Sequence, residues 1–331
     1  MELINRYQRD FPLVETPFAE IAHAHGLTEQ HVMRVYQEAL ASGAVSRLGG
    51  VFHQSAGGAS TLAAMAVPAD RLQIVADQVS AEPGVNHNYE REHRLNLWFV
   101  VTAQSQDLLR QSLDRLESVT GLPIVALPMV RPYRIDLAFD LNGMTASHSR
   151  SSSNVPSRVI GEDEVGLAAL AEEGLPIVAR PFDLWAAQLN RPVVTVIARL
   201  QEWLDAGILR RFGNVVRHHE FGFEANAMTV FKVPATQVDR FGHALAQQPE
   251  VTLSYQRVTT VDWPYNLYCM VHGRDRATVC STIADIVRRC SLEAYPCEVL
   301  FSLRRFKQQG ARRFRPAASL ATPSRADHVL A

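Results

Sequence analysis

The sequence predicts an α+β chain in which a winged helix-turn-helix followed by a ferredoxin-like αβ sandwich occurs twice in tandem. Three observations carry this. The 331 residues match themselves at a shift of 164. Each copy opens with helical periodicity interrupted by a short turn. Each then runs strand, helix, two strands, helix, strand. At the shift of 164, Pro17-Phe18 falls on Pro181-Phe182, Leu40 on Leu204, Gly43 on Gly207, Arg47 on Arg211 and Gly49 on Gly213. An insertion moves the shift to 166, where Val67-Pro68 meets Val233-Pro234, Tyr89 meets Tyr255 and Arg91 meets Arg257. A further insertion brings Asn96-Leu97-Trp98 onto Asn266-Leu267-Tyr268 at 170. Matches kept in order over such a span are the mark of a duplicated module of about 140 residues.

Within the first copy, Ile21, Val32, Val35 and Leu40 are spaced for amphipathic helices,. Gly26-Leu27-Thr28 breaks them, with Thr28 as N-cap of the second helix,. Val45–His53 and Ile208–Arg217 are short β-runs split by Gly49-Gly50 and Gly213-Asn214, which predicts a two-residue hairpin, the wing, in each copy,. Next come a strand over Thr61–Val67, a helix over Ala69–Ala81, and paired strands over Val85–Glu92 and Asn96–Ala103. A helix over Ser105–Gly121 and a strand region over Ile124–Phe139 complete the β-α-β-β-α-β order of the ferredoxin-like sandwich,.

These signals place a winged helix-turn-helix over 1–55 and an αβ domain over 56–143, then a Ser-rich linker over 144–161. The second copy has its winged helix-turn-helix over 162–220 and αβ domain over 221–315, with a flexible tail over 316–331. Linker and tail are too poor in apolar residues to offset their ordering entropy. Because the modules are homologous, their sandwiches should pair as a pseudo-dimer inside one chain, and whole chains could pair further.

Lys and Arg number 33 against 34 Asp and Glu, a net charge of −1 before histidines. That balance argues against a protein that lives by neutralising phosphate backbones. The second helices of the two helix-turn-helix units are also poor readers of bases, so DNA association should be weak, salt-sensitive and independent of sequence. No apolar run approaches the roughly 18 residues of a membrane span, and the first ten residues lack a signal-peptide core,. Cys269, Cys280, Cys290 and Cys297 form no CxxC pair, which fits a reduced, cytoplasmic chain without disulfide framework or zinc knuckle,. No glycine-rich phosphate loop, nucleophile elbow or paired metal-ligand motif appears, so no metal site is expected.

Polar chemistry concentrates in Val85–Phe99. Period-two alternation would place His87, Tyr89, Arg91 and His93 on one strand face, where a structural stripe would be apolar,. The bland reading is a solvated edge strand. Four such residues in register instead form a cationic, proton-donating surface. Tyr255 and Arg257 repeat Tyr89 and Arg91, whereas Leu253 stands opposite His87 and His93 has no clear counterpart. One complete site in the first half follows, with the second half completing a pocket or holding a degenerate copy. The wing regions add Arg47, His53, Arg210, Arg211, Arg217, His218 and His219.

Winged helix plus αβ sandwich is the Lrp/AsnC architecture, and Leu40-x-x-Gly43-x-Val45 resembles its helix end. At a finer level the chain resembles the siroheme decarboxylase family. The likeness lies in Arg47–Phe52, Gly84–Arg91, His93–Phe99, Trp263–Gly273 and Glu298–Lys307, and extends over all but linker and tail. The resemblance implies the fused form of a two-subunit enzyme of heme d1 biosynthesis. It further implies loss of CO2 from the C12 and C18 acetates of siroheme, giving 12,18-didecarboxysiroheme, with no added cofactor because the iron arrives with the substrate.

The residues suit such a ligand. A flat macrocycle rimmed with carboxylates wants apolar walls and arginines. Losing CO2 leaves electron density that a proton must capture, and histidine is the natural donor. His87 and His93 are the candidate acids, in either order. Tyr89 and Arg91 would orient carboxylates, assisted by Arg47, Arg94, Arg211, Tyr255 and Arg257. A ligand-sensing transcriptional regulator and a non-enzymatic haem or siroheme binder are the rival classes, distinguished by specific DNA retardation and by a spectral shift without product.

Overall fold

The computed structural model describes residues 2–135, 158–216 and 225–314. The greater part of the expected linker, the expected tail and the wing candidates Arg217, His218 and His219 lie outside the described residues.

In the first half, helices α1 (Glu2–Arg6), α2 (Pro17–His25) and α3 (Glu29–Ala41) lead into strand β1 (Val45–Phe52). Gly26 ends α2 in the left-handed region at φ 64°, and the Thr28 hydroxyl caps α3 by accepting the His31 N–H at 3.2 Å,. The sandwich follows: β2 (Ala59–Met65), α4 (Leu72–Ala81), β3 (Val85–Arg91), β4 (Leu97–Ala103), α5 (Gln106–Thr120) and β5 (Val125–Ile135). The second half repeats the order. Its helical part is α6 (Val165–Glu173), α7 (Pro181–Leu189), α8 (Val193–Asp205) and β6 (Leu209–Val216). Its sandwich is β7 (Ala225–Phe231), α9 (Val238–Ala246), β8 (Val251–Arg257), β9 (Leu267–Gly273), α10 (Arg276–Arg289) and β10 (Cys297–Gln308). The opening helices α1 and α6, which sequence periodicity left unread, correspond at the shift of 164.

The expected wing hairpins do not form. Gly49, Gly50 and Gly213 are absent from the positive-φ glycines, and a tight hairpin turn of the favoured type needs positive φ at both central residues. Each β-run instead continues as one strand, and β1 pairs antiparallel with β6 of the other half, Gly49 opposite Gly213. The glycines serve close approach. A Cβ at Gly49 would lie 2.6 Å from the Ala171 carbonyl on α6, and one at Gly213 would lie 2.4 Å from the Tyr7 carbonyl after α1. Each half's opening helix thus crosses its partner's wing strand. Phe18, Tyr36, Phe182, Trp203 and Phe212 fill one helical core built by both halves.

The sandwiches join as completely. Each four-stranded sheet has the ferredoxin-like order, and β5 pairs with β8 while β10 pairs with β3, closing an eight-stranded antiparallel barrel. Helices cover the outside over two equivalent cores, one including Val75 and Phe99, the other Phe241 and Ile283. A fourth cluster, with Trp98, Tyr255, Trp263, Tyr268 and Leu300, fills the barrel interior. Closure leaves no free strand edge in the barrel, and the pseudo-dimer is a single interwoven body.

Candidate active site where the two halves meet

Strand β3 divides its side chains between two surroundings. Asn88 donates to the Ala76 carbonyl and Ser80 hydroxyl of α4, both at 3.0 Å, and so faces the helix layer. His87, Tyr89 and Arg91 take the opposite, inner side. The His87 and Tyr89 rings lie nearly parallel, centroids 6.3 Å apart. His93 does not continue this row. The strand ends at Arg91, and the His93 N–H turns back to the Arg91 carbonyl at 2.9 Å. In that turn His93 Nδ1 accepts the Leu95 N–H at 2.9 Å, and its ring stands edge-on to Trp263 at 5.2 Å. The two candidate acids therefore sit at opposite ends of β3. Arg94 in the same turn is exposed.

The Tyr-Arg pairs of both halves are built into the barrel. Arg91 Nη1 donates to the Leu300 carbonyl at 2.9 Å, and Arg257 Nη1 to the Leu127 carbonyl at 2.6 Å. Each arginine braces a strand of the other half. Arg257 lies over the Tyr255 ring at 4.7 Å, and Tyr255 stacks on Tyr268 at 5.4 Å. Burial lowers the proton affinity of both guanidinium groups, with neighbouring tyrosines opposing it,.

The helical layer holds the other matched pair, and there the halves differ. Arg211 is buried, and its Nη1 is satisfied by the Gln8 carbonyl at 2.6 Å and the Asn214 carbonyl at 2.7 Å. Arg47 gives only Nη2 to the Gly50 carbonyl at 3.0 Å, while its Nε and Nη1 are buried without hydrogen-bond partners. Such a group is poised for an anion. Burial brings Arg47 down to about 10, opposed by the charge of Glu172. His87 lies within its field: burial first, then the Arg47 charge, bring the imidazole down to about 4. Its Nδ1 is 2.9 Å from Asn86 Oδ1. His53, near Arg210 and Arg313, is likewise lowered to about 4, again chiefly by burial.

Sequence periodicity missed one member of this group. Glu172, at the end of α6, is 4% exposed, and burial raises it to about 7 against the pull of Arg313 and Arg47. Nothing marked it in sequence, because an acidic residue ending a helix reads as solvated surface. The inner ends of β1, β3 and α6 thus bring together a cation with spare donors, a neutral imidazole and a buried acid. That set can receive a carboxylate and move a proton.

Residues 1–45 and 167–210 match the model of the siroheme decarboxylase NirDL-like HTH domain, and 55–134 and 220–307 that of the AsnC-like ligand binding domain. The chain is 40% identical over 314 residues to the siroheme decarboxylase NirDL subunit of Paracoccus denitrificans, spanning 94% of this chain and 96% of that one. A single-module relative, the siroheme decarboxylase NirD subunit of Pseudomonas aeruginosa, is 46% identical over 139 residues, 42% of this chain and 93% of that one. Among solved structures, the crystal structure of the siroheme decarboxylase NirDL in co-complex with an iron-uroporphyrin III analogue superposes with a TM-score of 0.68 at 26% identity, covering 95% of this chain and 93% of that one.

Proposed function

The chain belongs to the siroheme decarboxylase family, and from that membership and the site geometry we infer that it removes CO2 from acetate side chains of siroheme, at C12 and C18, in heme d1 biosynthesis. The observation that carries the reading is the Arg47 guanidinium, with buried unpartnered donors, set against the neutral imidazole of His87.

Each step converts a ring-bound CH2–COO⁻ and one proton into a ring-bound CH3 and CO2. Atoms and charge balance without an oxidant or a reductant, so the reading calls for no cofactor beyond the iron carried by the substrate. Arg47 receives a substrate carboxylate with its free Nε and Nη1. The arriving negative charge offsets the Arg47 field at His87 and raises its proton affinity. Substrate binding and proton uptake are thereby coupled, and His87 delivers the proton to the methylene carbon. His93, beside Trp263 beyond the far end of β3, is the second candidate donor. Tyr89 and Tyr255 orient the macrocycle, Arg94 contributes charge from the surface, and Arg91, Arg257 and Arg211 hold the frame.

The helix-turn-helix units act as scaffold in this reading. The single arginine of α8, Arg199, is held by Glu164 at 2.9 Å and Glu202 at 3.0 Å. No helix among the described residues is long and apolar enough to cross a membrane, and all four cysteines are free, which supports a reducing, cytoplasmic setting,. Anaerobic incubation with siroheme, followed by mass spectrometry, should show two successive losses of CO2. A bound tetrapyrrole recovered unchanged would leave a binder and overturn the enzyme.

A further inference from the structure

We propose that Glu172 is a positioning residue of this site, clasping residues 309–314 of the second half across Arg47 and His87 of the first. The proposal rests on the functional reading above for what the site does, but not for how the clasp is built.

Residues 309–314 leave the end of β10 and bridge the barrel to the helical layer. Gln308 stands opposite His87 in the β10–β3 ladder, and the Gln309 N–H donates to the Asn86 carbonyl at 2.8 Å. Gly310 then lies against Arg47 so closely that a Cβ there would fall 1.4 Å from Arg47 Nη1. Gln104 Nε2 donates to the Phe314 carbonyl at 3.1 Å, and the Phe314 ring enters the helical core against Phe52, centroids 4.9 Å apart. At the crossing point Glu172 Oε2 accepts the N–H groups of both Arg313, at 2.6 Å, and Phe314, at 2.9 Å. One buried carboxylate oxygen therefore fixes two consecutive amides of the segment that walls Arg47.

The corresponding position in the first half is Gln8, an amide whose Nε2 donates to Asn5 Oδ1 at 2.9 Å. Beside it Arg211 is satisfied by carbonyls, and Leu253 replaces the imidazole. Carboxylate, spare guanidinium donors and histidine thus coincide on one side of the pseudo-two-fold. Without the clasp, the segment would leave Arg47 and let water reach His87, and the coupling between bound carboxylate and imidazole would weaken with the rise in local dielectric.

The test compares Glu172→Ala, Glu172→Gln and Gly310→Ala in the full-length protein. Amide exchange of residues 309–314 is measured without substrate, and siroheme turnover and KM are measured alongside. Glu172→Ala should raise exchange at 313–314 at least tenfold and lower kcat at least tenfold. Glu172→Gln keeps an oxygen that can accept both N–H groups, so it should restore protection and most of kcat. Gly310→Ala should leave 313–314 protected yet raise KM, since it displaces Arg47. Unchanged exchange and turnover in Glu172→Ala would overturn the clasp. So would a Glu172→Gln variant that is protected but as inactive as Glu172→Ala, because the charge would then matter and not the clasp. Should Glu172→Ala not fold, the Gln and Gly310 variants still decide. Failure of the wild type to release CO2 would remove the functional reading while leaving the exchange result to judge the clasp.

Discussion

In the proposed mechanism His87 is the proton donor, and its lowered proton affinity also bears on the pH response of the fold. Its replacement by alanine should lower turnover by roughly 10²–10⁴ if it delivers the proton, with tetrapyrrole affinity retained in an absorbance titration. His93→Ala run beside it separates the donors, since the two residues lie at opposite ends of β3. The same imidazole predicts a stability effect. Its proton affinity is lowered on folding, from 6.5 to about 4, so between those values the unfolded chain binds the proton and the folded chain does not. The stabilisation is present above about pH 6.5 and is lost as pH falls toward 4. Glu172, raised from 4.5 to about 7, acts oppositely: its contribution is present below about pH 4.5 and lost as pH rises through 7,. Between pH 7.5 and 5.5 the two contributions oppose each other in the wild type, so urea unfolding of His87→Gln, which keeps only the Glu172 gain, should become more stable relative to the wild type as pH falls, and parallel pH profiles would refute the assignment,. His87 was legible in sequence as part of a polar row where a structural stripe would be apolar, and Arg47 as the repeat partner of Arg211 in the wing region. Glu172 was not, because its burial depends on a segment more than 130 residues away in the chain.

At the level of elements, periodicity and caps found the helices and strands other than the opening helices α1 and α6, and misjudged partners. Thr28, Ser105 and Gly121 sit at the helix ends their chemistry favours,. Gly49-Gly50 carries the local signal of a hairpin, yet the pair stays extended because α6 presses on it and β6 offers a better ladder. Single-module reasoning cannot see a strand supplied by another module. The row of His87, Tyr89 and Arg91 was likewise legible, but His93 left it, because the chain turns toward β4 there, with the Arg91 N–H donating to the Asn96 carbonyl at 2.8 Å and the His93 N–H to the Arg91 carbonyl. The glycines make a sharp prediction. Gly213→Val places a branched side chain where a Cβ already lies 2.4 Å from the Tyr7 carbonyl, and should cost about 1–3 kcal/mol in denaturant unfolding. A midpoint equal to the wild type's would show that α1 does not pack there as described.

The whole molecule is two modules that cannot be separated without exposing strand edges. Three ladders join them: β1 to β6, β5 to β8, and β10 to β3. The duplication was legible from matched residues, while the closure of two open sheets into one barrel was not, since edge strands carry no label of their partner. Cutting the chain within 144–157 should consequently yield halves that co-elute and keep activity when expressed together. Size-exclusion chromatography checks this, and halves that elute apart would contradict the interlocked architecture.

The closing ladder also has a consequence for how the protein is made. Ser302 on β10 pairs with Arg91 on β3, so the barrel cannot shut until nearly the whole chain has been synthesised. At 5–20 residues per second the second half follows the first by roughly 10–30 s. Throughout that interval a finished first sandwich carries β3 and β5 as open edges, and nascent chains on neighbouring ribosomes of one message present the same edges to one another. Joining the two modules end to end guarantees their stoichiometry, and in exchange makes correct pairing a race between the ribosome and the nearest identical neighbour.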